Sequence, residues 1–145
     1  MAFLRSASSK VEMLRKVPLF SGLSQRQLEQ IAKLADEIEV PAGRQLATVG
    51  ESGHELFVIV DGEASVRAKG GRTVRLGYGD FFGEMSLVDG GPRSATVVAT
   101  TPMKLLVVSH REFWSLLNEA PQVAGKIMRT LSQRLRDVEA TWSAC

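Results

Sequence analysis

Residues 82–97 read FGEMSLVDGGPRSATV, and two of them, Glu84 and Arg93, carry side chains suited to holding a polar ligand. The third charge, Asp89, precedes Gly90 and is accounted for as a turn former. If residues 83–87 form a turn of helix leaving a strand, the first N–H groups lack intrahelical partners and carry partial positive charge. They favour an anion, and Gly83 lets that anion approach the backbone closely. Arg93 follows the Gly90-Gly91-Pro92 turn, and a guanidinium can hold two phosphate oxygens at once. The hydroxyl and N–H of Ser94 add donors beside it. Glu84 would repel a phosphate, but it would accept a hydrogen bond from a nearby hydroxyl such as a ribose 2′-OH. A nucleoside 3′,5′-cyclic phosphate combines one negative charge with a free 2′-OH. A noncyclic monophosphate brings more negative charge against the same carboxylate. The alternative is that Glu84 and Arg93 pair with each other and only pin a loop.

No enzyme signature accompanies these residues. His54-Glu55 opens like the HExxH of zinc proteases, but position 58 is valine. There is no GxSxG elbow and no P-loop, and Gly77-Tyr78-Gly79 followed by Phe82 fails the dinucleotide fingerprint. His54 and His110 read as surface or turn residues, and with the single Cys145 they do not make a standard zinc site. The chain is therefore expected to have no catalytic residue, no metal and no cofactor, and not to be an enzyme.

The 145 residues, 44% hydrophobic and 23% charged, fit one globular domain. A formal charge of +2 gives no reason to expect nucleic acid or a membrane surface as partner. No apolar run approaches the ~18 residues of a spanning helix, and the N-terminus lacks the apolar core of a signal peptide. One cysteine cannot form an internal disulfide, which suits a reducing compartment. The expectation is a soluble, cytoplasmic protein.

Three zones position the candidate residues. In residues 1–39 the stretch LSQRQLEQIAKLADEI places Leu28, Ile31, Leu34 and Ala35 on one helical face, and Ser24 with Gln27 forms a capping box. Val17, Leu19, Phe20 and Leu23 make an apolar turn that must pack against something. Residues 40–108 read as short strands (LFVIV, ASVRA, TVRLG, ATVVA, KLLVV) between turn residues. Eleven of the thirteen glycines fall between Gly43 and Gly91, so the corners are tight. This pattern suits a sandwich, barrel or jelly roll. Residues 109–145 are helical again: HREFWSLLNEAP stops at Pro121, and a longer helix runs to about Trp142. Along it Ala124, Met128, Leu131, Leu135, Val138 and Trp142 fit an a/d heptad seam. That seam packs on the strands, or serves in part as a dimer contact or mobile lid.

The whole of residues 82–97 resembles the phosphate-binding cassette of the cyclic nucleotide-binding domain family, which includes the catabolite activator protein, regulatory subunits of cyclic-AMP-dependent protein kinase and cyclic-nucleotide-gated channels. The family pattern is F-G-E-aliphatic-[AS]-L, a short variable turn, then R-[AST]-A-[TS]-V. FGEMSL, VDGGP and RSATV match each part. VPLFSGLSQRQLEQIA and PAGRQLATVGESGHELFVIVDGEASV resemble the family's leading helices and first strands, so the likeness runs from about Val11 to Trp142.

The resemblance implies an eight-stranded jelly-roll β-roll, mainly β, with N-terminal helices and C-terminal lid helices. It implies that Gly83 offers its N–H to the ligand, Glu84 takes the ribose 2′-OH, and Arg93 clamps the cyclic phosphate with Ser94 and Ala95 beside it. Met85 and Ser86 would supply cassette backbone, and Gly43, Gly62 and Gly79 would be structural turn glycines. Ser94 leans the ligand to cyclic AMP (cAMP), with cyclic GMP (cGMP) the alternative. Arg134, Val138 or Trp142 would cover the base. The expected role is a sensor that relays binding through its C-terminal helices. The alternative is a homodimer or effector-binding module using the Ala124–Trp142 helix, with an incidental nucleotide site. In the family's transcriptional activators a helix-turn-helix follows the long helix, whereas this sequence ends at Cys145; no DNA partner is expected for it.

Overall fold

The computed structural model describes residues 7–68, 72–83 and 91–143, with side chains described over 9–67, 72–83 and 91–136. Helix α1 (Ala7–Lys16), a 3-10 turn (Pro18–Phe20) and α2 (Gln25–Leu34) precede eight strands. These are β1 (Asp36–Val40), β2 (Gln45–Ala47), β3 (Glu55–Asp61), β4 (Ala64–Ala68), β5 (Thr73–Leu76), β6 (Phe81–Phe82), β7 (Ala95–Ala99) and β8 (Met103–Ser109). Helices α3 (His110–Glu119) and α4 (Pro121–Ser143) follow. The strands form two antiparallel four-stranded sheets, ordered β1-β8-β3-β6 and β2-β7-β4-β5. This is the jelly-roll β-roll with flanking helices that the sequence predicts.

The apolar run of β3 comes from burial on both faces. Leu56 and Val58 point to the helices, while Phe57 and Ile59 point between the sheets. Strand β8, paired with β3 from Ser109 opposite Glu55 to Lys104 opposite Asp61, repeats the division: Leu106 and Val108 face the helices, Met103 and Leu105 the roll. A strand buried on both faces reads as continuous hydrophobicity rather than alternation. Each such side chain, fully buried, is worth about 1.5–3 kcal/mol. The apolar turn before α2 also finds its partner, since Val17, Leu19, Phe20 and Leu23 all join the helix-side core. Gly43, Gly62 and Gly79 all occupy left-handed backbone, as turn glycines do.

The capping box of α2 is present: Ser24 Oγ accepts from the Gln27 N–H, and the Ser24 N–H donates to Gln27 Oε1 at 3.0 Å. Two details depart from the sequence expectation. Strand β1 begins at Asp36, inside the zone read as helical up to residue 39. Ala35 is already extended, and Ile38 and Val40 pair with Leu105 and Met103 on β8, so a long-range ladder overrides the helical spacing. In α4 the core-facing stripe is Val123, Ile127 and Leu131, which departs from the reading that the heptad seam as a whole packs on the strands. One position along a helix turns the face by about 100°. Met128 and Leu135 are accordingly 64% and 59% exposed, and of the described seam residues Leu131 is the one that packs on the core.

Candidate ligand-binding site

Strand β6 has two residues, and they face opposite ways. Phe81 joins the core beneath the helices, whereas Phe82 lies between the sheets, stacked on Phe57 with ring centroids 4.8 Å apart and planes 14° off parallel. The next residue, Gly83, has φ +94°, a conformation side-chain-bearing residues rarely adopt. A Cβ there would lie 2.5 Å from both Nη1 of Arg93 and the carbonyl oxygen of Glu55. The chain therefore leaves β6 through a position that only glycine fills.

Arg93 is 6% exposed, the one charged residue among the buried described residues. A buried guanidinium is costly unless its donors are satisfied. Nη1 donates to the Gly83 carbonyl at 3.2 Å and Nη2 to the Glu55 carbonyl at 3.1 Å. The guanidinium carbon lies 5.8 Å from the centroid of the Phe57 ring, a cation over an aromatic face. These two carbonyls and the ring orient the side chain. The main chain of Arg93 is held separately: its N–H donates to the Glu51 carbonyl at 2.8 Å, and its carbonyl accepts from the Gly50 N–H at 2.9 Å.

Ser94 follows, exposed, and Ala95 opens β7 opposite Ala68 of β4. The structure thus brings together Gly83, Arg93, Ser94 and Ala95. Glu84, Met85 and Ser86 lie outside the described residues, and so does any pairing of Glu84 with Arg93. Val138 and Trp142 fall within α4, but their side chains are outside the description.

Arg134 approaches β6 from the other side. It lines a cleft of about 420 Å³ between α4 and the Tyr78–Phe81 segment, together with Pro18, Lys126 and Arg129. Lys126 donates to the carbonyls of Pro18 and Ser21 and to Ser21 Oγ, tying α4 to the N-terminal turn. Burial, and then the neighbouring Arg129, hold the Lys126 pKa below the ordinary lysine value.

Sequence reasoning missed Gly53 and the Glu55 carbonyl. A Cβ at Gly53 would overlap Nε and Cζ of Arg93 and lie 2.6 Å from its Nη2. The available signal was the pair Gly50 and Gly53 just ahead of β3. Among the described residues, no cluster of three or more His, Cys, Asp or Glu could hold a metal, and no helix is long and apolar enough to cross a membrane.

Comparison with known proteins places this geometry. Residues 37–120 match the cyclic nucleotide-binding domain family. A cyclic nucleotide-gated potassium channel of Rhizobium etli is 39% identical over 123 residues, covering 85% of this chain and 34% of the channel. A CRP-like cAMP-activated global transcriptional regulator of Mycobacterium tuberculosis is 28% identical over 130 residues, 86% of this chain and 58% of the regulator. The chain thus spans about a third of the one relative and somewhat over half of the other. The crystal structure of the Thermus thermophilus catabolite activator protein superimposes with a TM-score of 0.78 at 30% identity, covering 87% of this chain and 62% of that one. Since the matched residues make up more than half of the sequence and carry both sheets and the buried arginine, this chain belongs to the cyclic nucleotide-binding domain family, a family of regulatory ligand-binding domains.

Proposed function

We propose that the chain is a cAMP sensor domain: an N-terminal helical segment, a β-roll carrying the cassette at residues 82–97, and C-terminal helices that relay binding. The observation that carries this reading is the seating of Arg93, buried at the end of β6 with its guanidinium fixed by the carbonyls of Gly83 and Glu55. A rigid planar fork matches the oxygens of a cyclic phosphate bidentately. The Gly83 N–H and the groups of Ser94 and Ala95 lie on the same two chain ends and would complete the anion site. Glu84 would accept the ribose 2′-OH, with Met85 and Ser86 contributing backbone. The cAMP-activated regulator among the relatives supports cAMP over cGMP.

The relay follows from α4. Its residues from Arg134 to Trp142 would close over the base, and a ligand shifts such an equilibrium only by its differential affinity for the two helix positions. The test is calorimetric titration of nucleotide-free, refolded protein with cAMP, cGMP and 5′-AMP. Saturable binding of cAMP with weak 5′-AMP is the expected result. Silence from both cyclic forms in folded protein would leave Glu84 and Arg93 as a structural pair.

A second reading is a dimerisation module, favoured by the exposure of Met128 and Leu135 one heptad apart on α4. It requires association that ignores cAMP.

A further inference from the structure

We propose that Gly53 is a positioning residue of the ligand site, seating Arg93 through the side chain it does not have. The inference rests on the reading of Arg93 as the phosphate-binding group and adds what fixes its place. Gly53 is not among the glycines with positive φ, so no left-handed backbone demands glycine there. What demands glycine there is the arginine. A Cβ would occupy the volume of Nε and Cζ and crowd Nη2, so any side chain at position 53 moves the guanidinium.

The displacement cannot be absorbed by the backbone of Arg93. Its N–H and carbonyl are tied to Glu51 and Gly50, in the same turn that carries Gly53. Turn and arginine main chain therefore move as one, and only the arginine side chain can yield. When it yields it leaves the Glu55 and Gly83 carbonyls and its place over the Phe57 ring. The turn around Gly53 is otherwise open, with Glu51, Ser52 and His54 all exposed. The three atoms nearest a Cβ at position 53 all belong to Arg93, so a small side chain there meets the arginine first. Gly83 differs, because its φ of +94° demands glycine whatever Arg93 does.

The experiment compares Gly53→Ala and Gly53→Val in the parent and in Arg93→Ala, reading cAMP affinity, melting temperature and the Arg93 Nε–H NMR resonance in nucleotide-free protein. That resonance is assigned by its loss in Arg93→Lys. Gly53→Val is expected to weaken cAMP binding by about tenfold to a hundredfold, the worth of one charge-assisted hydrogen bond, and Gly53→Ala by less. Melting temperature should fall no further than in Arg93→Ala, the Nε–H resonance should shift without any nucleotide, and neither substitution should weaken binding further in Arg93→Ala. Parent-like affinity with an unmoved resonance would overturn the proposal, as would an equal loss of affinity in Arg93→Ala. Should Gly53→Val fail to fold, Gly53→Ala decides by the same readouts. If the parent binds no cyclic nucleotide, the sensor reading fails, and the resonance alone decides whether Gly53 seats Arg93.

Discussion

Arg134 of α4 donates to the carbonyl of Phe81 at 2.7 Å and holds its guanidinium 5.1 Å from the centroid of that residue's ring. Phe82, next in the chain, faces the other way and stacks on Phe57, over which Arg93 lies. Two arginines therefore reach the two-residue strand β6 from its opposite faces. One belongs to the helix that would move, the other to the site that would hold ligand. The proposed relay would run through this strand, a displacement of β6 on one side reaching the other through a single peptide unit.

Arg134→Ala should loosen α4 without unfolding the roll. A hydrogen bond to a charged group contributes about 1.5–3 kcal/mol, and the partial exposure of Arg134 brings that toward about 1 kcal/mol. The melting temperature should fall by roughly 2–4 °C. Amide hydrogen exchange should quicken in the α4 turns beyond Ile127, while β3 and β8 keep their protection. Unchanged exchange in α4 would mean the contact does not anchor the helix.

Arg93→Ala removes one partner of a buried, hydrogen-bonded charge, a change that typically costs about 2–5 kcal/mol in binding. At about 1.4 kcal/mol per tenfold, cAMP affinity should drop roughly 30-fold to several thousand-fold. Glu84→Ala should cost less, about 1.5–3 kcal/mol for a hydroxyl–carboxylate bond. It should also narrow the gap between cAMP and 5′-AMP, since the carboxylate that repels the extra charge is gone. Titration calorimetry of both variants checks this. Parent-like affinity in Arg93→Ala would return Glu84 and Arg93 to the role of a loop pin.

How far these features were legible in the sequence depends on the element. Strands β3 and β8 stood out because both of their faces are buried, so Leu56–Val60 and Leu105–Val108 run apolar without a break. Strand β6 did not, because Phe81 and Phe82 are too few to show a period and their opposed directions emerge only once β3 lies beside them. Arg93 was legible from its residue type and its place after a glycine turn. The Glu55 carbonyl that holds it was not, because a backbone acceptor leaves no trace in residue identity. Which stripe of α4 meets the core was not legible, for a different reason. Val123 and Ile127, and Ala124 and Met128, are both apolar pairs at helical spacing, and only burial in the helix-side core selects the first. Periodicity finds an apolar stripe but cannot choose between two adjacent ones.

Ser94 is exposed, directly after the buried arginine and directly before β7. If it bonds the phosphate, Ser94→Ala should weaken cAMP and cGMP equally, by the worth of a neutral hydrogen bond, about 0.5–1.5 kcal/mol. If it reads the base, the two nucleotides should respond differently. Parallel titrations of the parent and Ser94→Ala separate these cases. Preference of the parent for cGMP would overturn the assignment of cAMP.

The exposed pair on α4 sets the last prediction. Fully burying a leucine or methionine is worth about 1.5–3 kcal/mol, and a two-fold dimer would bury Met128 and Leu135 from both copies. That gain, about 6–12 kcal/mol, falls within the roughly 4–15 kcal/mol that association costs, so these residues alone support only weak pairing. Sedimentation of the parent should therefore show mass rising with concentration rather than a fixed dimer. The double substitution Met128→Glu with Leu135→Glu should abolish the rise, by placing like charges across the two-fold. Met128 precedes the Arg134–Trp142 segment proposed to cover the base, so Met128→Glu alone should weaken association while cAMP affinity matches the parent. A parent that stays monomeric at every concentration would remove α4 as a dimer seam and leave its exposed stripe to other partners. A stable dimer indifferent to cAMP would instead favour the interaction module over the sensor.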